Sequence, residues 1–438
     1  MRTAPPEVLL AGVVLAAGTF TACADWLKVT NPGAIDPPVL EDTTRIAFMV
    51  TGVIGDFQPA FAWTALFSGV LGDELRNHHS FFENGEIDRR AVGELNGTYI
   101  SSVYNGLHRA RFMGDSVAGR IKNLLGPPAA ADLRLARVLA YGGYSWLLLG
   151  EQLCETPINR SAPVPSDTLL ETAIQRFDEA IVVAAAAKAA DTTAAGKAGA
   201  DSITNVAWLG AARAALDLGD NARAILYATA VTPAYVSQAS RGFEWRAYYV
   251  DQGATTAERR RTRNPYWEFL NSERWFSISG TSFDTLNDAR VPWELRTTAD
   301  GTTRHTPNSP QAFGSYTGTL TGGRFDSTST LRVASALEAR YIVAEAEGLN
   351  AANLAFVNDR RTVGGQAALP GTATAAEYLS ALRDQRRRDF FLDGHRLGDL
   401  RRYKRFYGID EFPSGPYFGS ATVSYGTQEC WPIPATER

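Results

Sequence analysis

Adjacent carboxylates, paired imidazoles, glycine–lysine turns and thiols are residue types from which enzymes build catalytic and metal sites, and each occurs here in incomplete form. Asp73-Glu74 sets two acids side by side. That leaves a paired-acid glycosidase open without supporting it, because the chemistry needs two carboxyl groups facing each other across the scissile bond. The five histidines, His78, His79, His108, His305 and His395, give no H-E-x-x-H pattern, and no two cysteines stand at metal-ligand spacing. His78-His79 is expected to be a pair of exposed loop residues, not half of a metal site. Gly196-Lys197 is followed by Ala198, so the hydroxyl that a phosphate-binding loop offers to magnesium is missing, and no G-x-S-x-G elbow occurs. The chain therefore reads as a binding protein and not an enzyme, with no metal and no cofactor.

Binding chemistry is more plentiful. Sugars present apolar C–H faces ringed by hydroxyls, and aromatic rings flanked by Asp, Asn, Arg or Gln suit them. Residues 232–330 are rich in Gly, Thr, Ser and Pro and dense in aromatics. Trp245, Tyr248, Tyr249, Tyr266, Trp267 and Trp275 are the candidate ligand contacts there. At least half of the rings in this region are expected to serve packing instead. A second candidate surface is the polar-aromatic loop 72–82, GDELRNHHSFF, with Asp73 and Arg76 as its candidate ligand residues.

These residues need a scaffold, and helical periodicity supplies one on both sides of the aromatic region. From residue 42 to about 227 the pattern is largely helical. Thr168-x-x-Glu171 reads as a capping box, followed by an apolar stripe of Leu170, Ile174, Phe177, Ile181 and Ala184. The Ala/Thr/Gly run 184–200 reads as a fraying helix end and a linker. Residues 205–230 read as a helical hairpin turning at Gly219-Asp220-Asn221. Trp208, Ala212, Gly219 and Ala224 fall at the large, small, turn and small positions of one degenerate tetratricopeptide repeat. Helix is expected to resume at Leu331, with Val333, Leu337, Tyr341 and Ala344 on one face. Thr374-x-x-Glu377 caps a further helix whose inner face is Tyr378, Leu382, Gln385 and Asp389. Its continuation, residues 386–402, RRRDFFLDGHRLGDLRR, interleaves arginines and aspartates with Phe390, Phe391, Leu392 and Leu397. Such a lattice suits a partly buried ion-pair network built on the planar arginine fork, whereas an anion or phosphate site would need the arginines left unpaired.

The same stretch carries a family resemblance. Arg387-Arg388-Asp389-Phe390-x-x-Asp393-Gly394-His395-Arg396-x-x-Asp399-Leu400-Arg401-Arg402, followed by Pro432-Ile433-Pro434-x-x-Glu437, resembles the C-terminal signature of the SusD/RagB family. Asp stands at 389 and 393 where that family usually has Glu, and Phe390 where Leu is common. Asn358-Asp359-Arg360-Arg361-x-x-Gly364-Gly365 resembles a turn of the same family, and Leu27-Lys28-Val29-Thr30-Asn31-Pro32 its short extended opening segment. The resemblance implies a mainly α fold, with a tetratricopeptide-like helical-repeat scaffold and an irregular, loop-rich aromatic region. It also implies a surface-exposed outer-membrane lipoprotein that captures oligomeric nutrients, glycan before peptide. A SusC-like TonB-dependent transporter would receive them. The expected division is a signal peptide at 1–22, a lipidated extended segment at 23–41 and a helical-repeat scaffold at 42–231. The loop-rich aromatic region, the candidate ligand face, follows at 232–330, and C-terminal helices and tail at 331–438.

Residues 8–17 form an apolar run of about ten residues, too short to span a bilayer and right for a signal-peptide core. Phe20-Thr21-Ala22-Cys23 resembles a lipoprotein box, in which Cys23 is acylated and becomes the first mature residue; ordinary secretion with cleavage near Ala22 or Ala24 is the alternative. If Cys23 is lipidated, Cys154 and Cys430 remain as a pair in an oxidising compartment where a disulfide persists, the alternative being two free thiols. An apolar fraction of 45% is ample for a core, and a formal charge of -4 gives no reason to expect nucleic acid. No second apolar run is expected to reach transmembrane length. Two competing functions stay open: an exported glycan-processing enzyme on a helical scaffold, and a repeat scaffold with protein partners alone.

Overall fold

Alanine-rich amphipathic runs build the scaffold as successive helices, and glycines set how closely these approach. The computed structural model describes residues 37–438 apart from 285, 292, 308–325 and 418–419. Cys23, the expected signal peptide and the segment 27–32 lie outside the described residues. Residues 37–46 belong to a unit of their own with two short 3₁₀ turns, Pro37–Leu40 and Thr43–Arg45, the second capped by Asp42, which accepts the Thr44 N–H at 2.8 Å.

From residue 47 onward the chain is mainly α. Helices Asn105–Leu125, Leu133–Gln152, Ser166–Ala190, Ala194–Asp217 and Asn221–Ala230 follow one another and pack neighbour on neighbour. Gly114 and Gly142 let two of them meet backbone to backbone: a Cβ on Gly114 would lie 2.8 Å from Gly142 Cα. The Phe177 ring fills the space left by Gly143 and Gly210, where a Cβ would meet it at 2.6 and 2.2 Å. Large into small is the packing of helical-repeat pairs. The hairpin turns at Gly219, with φ of 77°, and Asp220 caps the next helix by accepting the Arg223 N–H at 3.0 Å.

Three local expectations are corrected. Pro165, in extended conformation, starts its helix at Ser166, so Thr168 sits inside the first turn and does not cap it; Glu171 instead pairs with Arg223 at 2.6 Å. The run 184–200 is no linker, because alanine is the strongest helix former and only Asp191, Thr192 and Thr193 interrupt it before the next helix starts at Ala194. Leu331–Ser335 is a strand, not helix, paired antiparallel with Glu244–Ala247, and Ser335 then caps the helix Ala336–Glu347. Every residue of that strand is buried, which gives Val333 an inward face in either conformation.

By length and composition the stretch Thr43–Leu71 passes as a membrane span, which also departs from expectation. Its Phe57, Phe61, Ala65, Leu66 and Val70 are each at most 1% exposed, and it serves as a core helix. The middle region holds short antiparallel pairs: Arg76–Asn77 with Phe276–Ser277, and Trp293–Thr297 with Thr303–Pro307. The C-terminal helices Ala351–Val363, Ala375–Asp389 and Arg396–Tyr407 carry the charged lattice, and Thr374 and Glu377 form a reciprocal capping box. Cys154 and Cys430 form a disulfide with Cα atoms 5.6 Å apart, joining the scaffold to the tail.

Candidate functional site

The arginine–aspartate stretch is buried and paired, and it positions the candidate site without belonging to it. Asp389 takes Arg360 through both oxygens at 2.6 and 2.8 Å and Arg290 at 3.2 Å. Asp399 takes Arg386 at 2.8 Å and Arg402 at 2.7 Å, and Arg402 also reaches Glu345 and Asp217. Asp393 takes Arg332 and His395 at 2.7 and 2.8 Å. Arg401 donates to the end-of-helix carbonyls of Gly150 and Glu151. With its arginines committed, the stretch offers no anion site. The loop between its two helices, 390–395, holds the loop 72–82: the Leu392 N–H donates to Glu74 Oε1 at 3.0 Å, and a Cβ on Gly72 would press Arg396 Cγ at 3.1 Å.

From that anchor the chain runs as the strand Arg76–Asn77 against Phe276–Ser277, with His78 N–H donating to the Trp275 carbonyl at 2.7 Å. The pairing brings together two surfaces some two hundred residues apart in sequence. Trp275 is half-buried; His79 stacks on it at 4.3 Å between centroids, Phe81 lies 6.4 Å away, and Phe269 backs it at 4.8 Å. Phe81 and Phe82 are 45% and 68% exposed. Behind them Phe269 contacts Phe67 and Trp63, so a ladder of rings runs from Phe81 inward and out again at half-buried Trp63. His79 Nδ1 accepts the Phe81 N–H at 3.0 Å, which leaves Nε2 as the N–H that a ligand hydroxyl can meet.

The remaining candidate residues fall elsewhere. Tyr249 and Tyr266 are core residues whose hydroxyls donate to the Gln58 and Leu392 carbonyls at 3.2 and 2.7 Å. Trp245 packs among Phe57, Tyr141 and Tyr144 at 4.9–5.8 Å, since its strand faces the scaffold helices. Trp267 lies under the Arg263 guanidinium at 4.6 Å. Tyr248 is 64% exposed and, among the described residues, touches none of the other candidate rings. Arg76 is 5% exposed, bound to Asp73 at 3.1 Å, to Asp88 at 3.5 Å and to the Gly280 carbonyl; both it and Asp73 brace the loop from within. His79, Phe81, Phe82 and Trp63 were not among the expected ligand residues. The first three lie in the loop already singled out, whereas Trp63 reads as one more apolar residue of a core helix.

No family model and no curated protein matches the chain. Solved structures do. A SusD-like protein from Bacteroides fragilis superposes with a TM-score of 0.61 at 11% identity, over 92% of this chain and 96% of that one. A SusD-like carbohydrate binding protein from Bacteroides vulgatus gives 0.58 at 14% identity over 86% of each chain. A laminarin binding SusD-like protein gives 0.56 at 13% identity, over 90% of this chain and 97% of that one. The chain has the SusD-like fold.

Within this SusD-like fold the titratable groups nearest the aromatic surface are structural. Glu74 is pushed up to about 8 by burial, and its Oε1 is already taken by Leu392. Asp88 is pushed up to about 6, again by burial. His78 is buried, not exposed as expected, because its Nε2 meets Ser277 Oγ at 2.6 Å on the paired strand; burial pushes it down to about 4. A serine–histidine pair is therefore present, but Ser277 is fully buried and the imidazole is a poor base near neutrality. Among the described residues no group of three His, Cys, Asp or Glu side chains is placed to hold a metal.

Proposed function

We propose that the chain belongs to the SusD/RagB family and works as a surface lipoprotein of the outer membrane. In this reading it captures an oligomeric nutrient, glycan before peptide, without turning it over, and passes it to a SusC-like TonB-dependent transporter. The observation that carries the proposal is the exposed Phe81–His79–Trp275 surface on a SusD-like fold. Rings suit the C–H faces of sugars, and His79 Nε2 supplies a polar edge beside them. The carbohydrate-binding descriptions of two of the solved relatives support a glycan ligand. A shallow surface of this kind gives affinities of roughly micromolar to millimolar.

The anchor in this reading is Cys23, acylated after removal of residues 1–22; several acyl chains hold where one would bind only marginally. Titration calorimetry of the purified protein against neutral and acidic oligosaccharides and peptides tests the capture, with Phe81→Ala and Trp275→Ala expected to weaken it. Saccharide binding that survives both substitutions unchanged would remove the surface from the proposal. Release of Cys23→Ala from membranes to the soluble fraction tests the anchor, and unchanged membrane partitioning would rule it out.

A further inference from the structure

We infer that the ligand is acidic, an oligosaccharide bearing carboxylate or sulfate groups, and that its charge is read in the cleft at the Trp63 end of the aromatic ladder. This deepens the glycan reading above and rests on it. The cleft has a volume of about 530 Å³, and three of its lining residues, Arg109, Arg260 and Arg261, are cationic while none is acidic. Two of the arginines are oriented from behind. Arg260 is held by Glu268 at 2.7 Å and Glu273 at 3.4 Å, and Arg109 by Asp56 at 2.9 Å, with half or more of each arginine side chain still exposed. Arg261 is exposed and, among the described residues, makes no hydrogen bond or ion pair; Glu258, one turn earlier, feels it only through space. Arg forks pair bidentately with carboxylate and sulfate-like oxygens, so a free fork beside two pre-oriented ones is a receptor for such groups.

The rest of the lining fits a sugar better than an acidic peptide. Trp63 gives an aromatic wall. Ser101 and Ser102 reach the cleft on the π-helical turn Ile100–Tyr104, a distortion that often marks functional positions. Pro59 lies inside its helix and has no N–H, so the Gly55 carbonyl at the cleft loses its helical donor and is left to accept from a hydroxyl. Nothing lies within 4 Å of where a Gly55 Cβ would be, so the helix face at Gly55 is open to a ligand. Carbonyl, hydroxyls, ring and arginines together match a polyhydroxylated ring carrying an anion.

The experiment is titration calorimetry with four probes: oligogalacturonate, sulfated dextran oligosaccharide, neutral laminarin oligosaccharide and oligoglutamate, at low and high salt. At low salt at least one acidic saccharide should bind about tenfold tighter than the neutral one, with most of the advantage lost at high salt. Uronate and sulfate arms tell the two anions apart. Arg261→Glu should abolish the acidic preference, and Arg261→Lys, which keeps the charge without the fork, should keep part of it. Equal affinity for acidic and neutral saccharides, or no effect of Arg261→Glu, overturns this inference while the glycan reading stands. Oligoglutamate bound as tightly as the acidic saccharides overturns the sugar assignment. Absence of binding to every saccharide brings down both.

Discussion

Asp389→Asn is the sharpest test of what the charged signature does. Asp389 is 5% exposed and accepts Arg360 and Arg290, with the Tyr341 hydroxyl also donating to it and Arg332 donating to its backbone carbonyl. Burial pushes the carboxyl up, but Arg290 and Arg360 outweigh it and hold it well below the usual carboxylate range. Removing the charge takes the bidentate carboxylate from buried Arg360, whose other acidic contact is Asp359 at 3.7 Å, while Arg290 keeps Asp288 at 2.7 Å; breaking such a buried pair costs about 3–5 kcal/mol. The unit from residue 47 onward has about 390 residues and hence an unfolding entropy of about 0.8 kcal/mol/K, so Tm should fall by about 4–6 °C. Arg360→Met should lose less, because Asp389 keeps Arg290. The assay is thermal unfolding followed by circular dichroism, paired with calorimetry on the folded variant. A Tm within about 1 °C of the parent, or loss of ligand binding at unchanged Tm, would refute the structural role and make the arginines an anion site after all.

Glu74 keeps a proton in the folded state up to about 8, against an ordinary value of 4.5. Its contribution is thus fully present below 4.5 and is lost as pH rises through about 8, so Glu74→Gln should gain on the parent in denaturant midpoint between pH 5 and 8; parallel pH profiles would contradict this. Reducing Cys154–Cys430, which are separated by 276 residues, should lower stability by about 5 kcal/mol by chain entropy, and an unchanged midpoint after full reduction would sink that account. Trp245→Ala should cost about 3 kcal/mol and leave saccharide affinity per folded molecule unchanged, because its ring packs on Phe57, Tyr141 and Tyr144; weakened binding without lost stability would return Trp245 to the site.

Much of the scaffold was readable because local rules and tertiary packing agree in it. The Thr374–Glu377 box, the inward face of Tyr378, Leu382, Gln385 and Asp389, and the turn at Gly219 all depend on residues a few positions apart. Two of the errors, at Leu331–Ser335 and His78, arise from a partner distant in sequence, and two, at Thr168 and the run 184–200, from local rules that compete with one another. Leu331–Ser335 has residues at helical spacing and becomes strand because Glu244–Ala247 pairs with it. Thr168 carries the right cap chemistry, but Pro165 starts the helix earlier. His78 looks exposed until Ser277 arrives beside it. The candidate site shows the same division. Its loop was legible as a polar-aromatic run, whereas the stacking of His79 on Trp275 requires the strand pairing that joins residue 77 to residue 276. Composition alone does not separate buried Tyr266 and half-buried Trp245, whose ring packs on Phe57, Tyr141 and Tyr144, from half-buried Trp275, which stacks on His79 beside exposed Phe81.

The central claim is capture without turnover on the Phe81–His79–Trp275 surface. Its most direct test is calorimetry of the parent and Trp275→Ala against a saccharide panel, with the same mixtures followed chromatographically for products. Saturable binding is expected at micromolar to millimolar Kd, about tenfold weaker in Trp275→Ala, with the saccharides recovered intact. Steady product formation, or an affinity that Trp275→Ala leaves unchanged, would contradict it.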